Sequence, residues 1–87
     1  MPRQTRTDIG NLLQEARAME LLANEVDVPF DRLQDYWNLA ADLITLVADI
    51  EQLQLERPDI SYEEPELFAL KHRLRDIASQ LGALDVD

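Results

Sequence analysis

Apolar residues recur at alternating intervals of three and four through most of this chain, and nothing else in it restricts the fold as tightly. Ile9, Leu12, Ala16, Met19, Ala23 and Val26 form one series. Tyr36, Leu39, Leu43, Leu46, Ile50 and Leu53 form a second, and Leu67, Leu70, Leu74, Ile77, Leu81 and Leu84 a third. Each series lies on one face of an α-helix, with a heptad-like repeat. No stretch alternates with the period of two that marks a half-buried strand. The spacing predicts an all-α fold, a three-helix antiparallel bundle or helical hairpin with a long central helix, completed by oligomerisation.

Punctuation divides the chain consistently with that reading. Helices are expected at about 8–26, 30–56 and 64–82, in one domain over residues 8–84. Thr7 or Asp8 can cap the first helix by accepting from its orphan N–H groups. In the turn VDVPFD, Asp31 followed by Gln34 suggests a capping box, with Phe30 placed as a hydrophobic staple. Pro29, tolerated in a first helical turn, is the rival start. Pro58 ends the second helix near Arg57. Ser61 with Glu64 suggests another box, and Glu64 ahead of a first-turn Pro65 is the rival there. Gly82 weakens the last turn. Residues 1–7, with Arg3 and Arg6, are expected to form a flexible basic arm, and residues 85–87 an acidic tail.

The central helix carries more apolar surface than one stripe. Beside its main series run Trp37, Ala40 or Ala41, Ile44, and Val47 or Ala48. A narrow polar strip remains: Asp35, Asn38, Asp42, Thr45, Asp49, Gln52 and Glu56. The acids therefore edge a helix packed on two sides and do not interrupt a membrane span, and no uncharged run approaches the ~18 residues a span needs. A helix apolar nearly all round is a buried one. Its covers are two neighbours in the same chain, or those neighbours plus a second copy or another protein. The small Ala40, Ala41 and Ala48 would let another helix approach closely.

Charge narrows the functional classes. The 87 residues include 18 acids and 8 bases, a net charge of −10, and no cysteine. Such a body repels phosphates, so direct nucleic-acid binding is not expected. Disulfides, thiol catalysis, zinc-thiolate sites and iron–sulfur clusters need cysteine. A cysteine-free small domain fits the cytoplasm, or a virion or host cytoplasm, and MPRQTRTDIG lacks the apolar core of a signal peptide. Helix 3 balances its acids with Lys71, Arg73 and Arg75. Lys71 and Arg73 flank its Leu stripe much as Asp35, Asp42, Asp49 and Glu56 flank that of helix 2. Such charges select partner and register, or else form local pairs such as His72 with Asp76.

Catalytic constellations are hard to assemble from these residues. The lone histidine, His72, projects away from the Leu67–Leu70–Leu74 stripe, and no Glu-x-x-His pair exists for a di-metal bundle. Ser61 and Ser79 have no histidine at a suggestive spacing, and Gly10 and Gly82 alone make no phosphate loop. Arg17, Arg32, Lys71 and Arg75 are too few and too outward to hold an anionic substrate. No enzyme activity, metal or cofactor is expected.

What remains is a protein–protein interaction module, self-assembling or partner-docking, in a structural, adaptor or regulatory role that includes viral components. A homodimer is the first expectation. The expected contact residues are Trp37, Ala41, Ile44 and Ala48, with Phe68, Lys71, Arg73 and Arg75 on helix 3. The alternative is an acidic inhibitor that imitates nucleic acid, presenting Asp35, Asp42, Asp49 and Glu56 as a rail to a basic nucleic-acid enzyme. The rail's spacing of ~10.5 Å per heptad is wider than that of successive phosphates.

Overall fold

Thr7 starts the first helix as its hydroxyl allows: Oγ1 accepts from the Gly10 N–H at 3.0 Å. A computed structural model describes residues 7–84. Within them lie α1 (Asp8–Ala23), α2 (Leu33–Glu56) and α3 (Pro65–Leu84), with a 3-10 turn at Phe30–Arg32 leading into α2. There is no strand among the described residues. Thr7 belongs to the fold as a cap, one residue inside the expected arm; the rest of that arm and residues 85–87 lie outside the described residues.

The ends of the helices correct several expectations. α1 stops three residues early, where the Glu25 and Val26 N–H groups turn back to the Leu22 and Ala23 carbonyls. The Tyr36 hydroxyl donates to that same Ala23 carbonyl at 2.7 Å and pins the end. The Asp31–Gln34 box does not form. The Arg32 N–H instead donates to the Pro29 carbonyl at 2.9 Å, so backbone closes the turn, and Gln34 turns to Asn38. Arg32 precedes α2 without any side-chain cap, and Phe30 staples nothing, being 90% exposed. α2 ends as expected, with Arg57 extended ahead of Pro58 and its N–H on the Leu53 carbonyl. α3 begins at Pro65, and Ser61 organises the preceding turn by accepting from the Glu63 and Glu64 N–H groups. Gly82 does not end α3, which runs two residues further to Leu84.

Contacts between helices fix an up-down-up path. Arg17 on α1 pairs with Glu51 on α2. The Tyr62 N–H, in the second linker, donates to Asp8 at 3.0 Å. Arg73 on α3 reaches Asp49 at 3.1 Å, and Arg57 reaches Glu66 at 3.2 Å. The three ion pairs are exposed and add little stability alone. Stability comes from the three apolar series, which turn inward together. Ile9, Leu12, Leu43, Leu46, Ile50 and Leu67 are fully buried, and Ile60 plugs the core from the linker. A buried Leu or Ile side chain contributes ~1.5–3 kcal/mol. α2 packs on both neighbours, which touch each other less.

Candidate functional site

The second stripe of α2 divides. Val47 is buried and Ala40 half-buried, on the flank toward α1. Trp37 and Ile44 are each 60% exposed, and Ala41 and Ala48 face solvent with them. Within the chain α2 is therefore packed over one arc only, and not on two sides as its composition suggests. The reason is geometric. Glu51 marks the flank held by α1 and Asp49 the flank held by α3. The arc between those flanks, opposite the core, has no third element among the described residues to meet.

That outer arc is longer than the sequence reading proposed. Phe30, Trp37 and Ile44 are spaced seven apart, and so are Ala41, Ala48 and Leu55. Leu55 is 81% exposed and extends the strip at the end of α2, while Phe30, 90% exposed, lies in the 3-10 turn ahead of it. These two rows interleave at intervals of four and three, the pattern of a second seam. The residues beside it on α2 are Asn38, Thr45 and Gln52 on one flank and Leu33, Ala40, Val47 and Gln54 on the other. None of them is charged. The signal for Phe30 and Leu55 was the same seven-residue spacing, masked because Phe30 read as a staple.

The acidic residues lie on a different edge. Asp35, Asp42, Asp49 and Glu56 are all exposed and line the α3 side of α2. Asp49 is bonded to Arg73, and Glu56 accepts from Gln52 at 2.9 Å. Of the matching charges on α2 and α3, Arg73 and Asp49 thus meet inside one chain. Lys71 is turned inward along its own surface, its Nζ 4.3 Å from the centre of the Tyr62 ring. Burial pushes the Tyr62 hydroxyl above its ordinary pKa, and Glu15 and Asp8 push it further. Phe68 is 54% exposed and meets His72 edge-on, ring centres 5.8 Å apart, instead of folding onto the linker. Arg75 lines a shallow cleft between α1 and α3 with Glu15, Met19, Leu22 and Ala78.

Among the described residues no three His, Asp or Glu side chains gather as a metal site, and no helix is long and apolar enough to cross a membrane. The described surface offers open clefts and a seam of exposed apolar side chains along α2. No known protein family, no curated protein and no solved structure matches this chain.

Proposed function

We propose that this chain is a non-enzymatic helical interaction module that works by offering the outer face of α2 to another protein. The observation that carries the reading is the exposure of Trp37 and Ile44, 60% each, on one seam with Phe30 and Leu55. Large apolar groups gathered in line on a small chain mark contact surfaces. Tryptophan anchors such contacts well, because it buries much area at low entropy cost. The module acts as a structural, adaptor or regulatory component, in the cytoplasm or in a virion or host cytoplasm. In the lone chain the seam meets water, so the reading stands on what covers it in solution.

The test compares complexes formed by the wild-type chain and by Trp37→Glu, with itself and with proteins of its source cells, by light scattering and cross-linking. Loss of complexes in the variant, with helix content retained, supports the module. Complexes indifferent to Trp37, or none at all in the wild type, would sink it. The nucleic-acid-mimic reading draws less support, since Asp49 and Glu56 already have partners in the chain. Its own test is Asp42→Asn: binding to a basic nucleic-acid enzyme must weaken.

A further inference from the structure

We infer that the occupant of the α2 outer face is a second copy of this chain, packed antiparallel with Trp37 against Ala48 of the partner subunit and Ile44 against the partner's Ala41. The inference rests on the reading just given and names its partner. Side-chain size is the first argument. The seam has two rows, Phe30, Trp37, Ile44 and Glu51 in one and Gln34, Ala41, Ala48 and Leu55 in the other. In an antiparallel pair each row meets the opposite row of its mate. One alignment sets Trp37 on Ala48, Ile44 on Ala41, Phe30 on Leu55 and Glu51 on Gln34, each twice by the two-fold axis. Large side chains meet small ones through the middle. A parallel pair would set Trp37 on Trp37 and Ala41 on Ala41, with crowding and gaps in alternation.

Charge selects the same occupant. A basic partner would be drawn to the row of Asp35 and Asp42, while the seam offers it nothing. A second copy needs a face that brings no like charges together, in a chain with 18 acids. The seam is that face on α2. Along α2 its only charge is Glu51, already paired with Arg17, and its flanks there are neutral. The area sets the strength. From Trp37 to Leu55 the seam runs ~27 Å along α2 and is roughly 10 Å wide, below the ~800 Å² per partner of standard stable interfaces. The dimer is therefore one that dissociates on dilution.

Sedimentation velocity across protein concentration, at low and high salt, tests the pairing. Trp37 is the only tryptophan, so its emission reports the seam directly. The expected result is a mass that doubles with concentration, a blue shift in step with it, and tighter association as salt rises. Salt screens the repulsion between two chains of charge −10 and would weaken a basic partner instead. Trp37→Glu should weaken self-association at least tenfold with helix content unchanged. Because the chain has no cysteine, Glu56→Cys carries a single spin label. The antiparallel register places the two labels of a dimer roughly 40 Å apart, and a parallel one within about 20 Å. A short distance would overturn the register. A monomer at every concentration and salt that still binds some other protein through Trp37 would overturn self-pairing and leave the module reading standing. A monomer with no Trp37-dependent binding removes both.

Discussion

The two faces of α2 are built from similar residues and meet opposite fates. Leu43, Leu46 and Ile50 are at most 2% exposed, whereas Ile44, next to Leu43, and Trp37, further back on the same helix, are 60% exposed. Hydrophobicity alone does not decide which face is covered. The number of neighbours does, and three helices with the third packed mainly on the second leave the outer arc of α2 without one. The inner face therefore holds the fold, and the outer face stays exposed among the described residues.

The sharpest way to break this contrast is to truncate one residue on each face. Leu46→Ala should cost ~2–5 kcal/mol in urea unfolding, because a fully buried side chain leaves a cavity. Ile44→Ala should stay within ~0.5 kcal/mol under dilute conditions. Equal losses at the two sites would mean that the outer face is buried even in the lone chain. The adjacent aromatics sharpen the comparison. Tyr36→Phe removes the hydrogen bond to the Ala23 carbonyl and should lower stability by about 1 kcal/mol. Gly82→Ala tests an outward position on α3, where an added methyl meets nothing within 4 Å. It should raise the thermal midpoint, with a gain of ~0.5–1 kcal/mol.

The alkaline limb of stability is a smaller effect. Burial, Glu15 and Asp8 raise the Tyr62 pKa in the folded chain. A raised pKa means that the folded state holds its proton harder than the unfolded one. Its stabilising contribution is full below the ordinary tyrosine value near 10 and is lost as pH climbs from there through the folded value. Urea midpoints of Tyr62→Phe should therefore fall less between pH 9 and 11 than those of wild type; parallel curves would rule the group out. The smallest expected change is in the stability of dilute Trp37→Glu, within ~0.5 kcal/mol of wild type. A large loss there would show the outer face already engaged at low concentration.

Much of the fold was legible because period and punctuation agree. The three series at intervals of three and four mark the buried faces, and Pro58 and Pro65 fix the boundaries around the second linker. The turn before α2 was not legible. Asp31 and Gln34 have the spacing of a box, but the chain enters α2 through a 3-10 turn that puts Arg32 at the cap position, and residue types do not display that shift. The charges flanking α2 and α3 were legible as complementary, yet not as partners within one chain, since Arg73 and Asp49 meet only once the helices are antiparallel neighbours. The seam was half legible. Trp37, Ala41, Ile44 and Ala48 stood out, but whether a face is surplus depends on how many helices reach it, and that is a property of packing.

The shortest helix of the three is also the one fastened at both tips. Asp8 takes the Tyr62 N–H from a linker 54 residues away, and the Tyr36 hydroxyl holds the carbonyl of Ala23 at the far end. A 16-residue helix left to itself unravels from its tips. With both tips clasped by other parts of the chain, α1 must let go as a unit. In hydrogen exchange its amides should share one opening rate along their length, where an unclasped rod would show protection rising toward its middle.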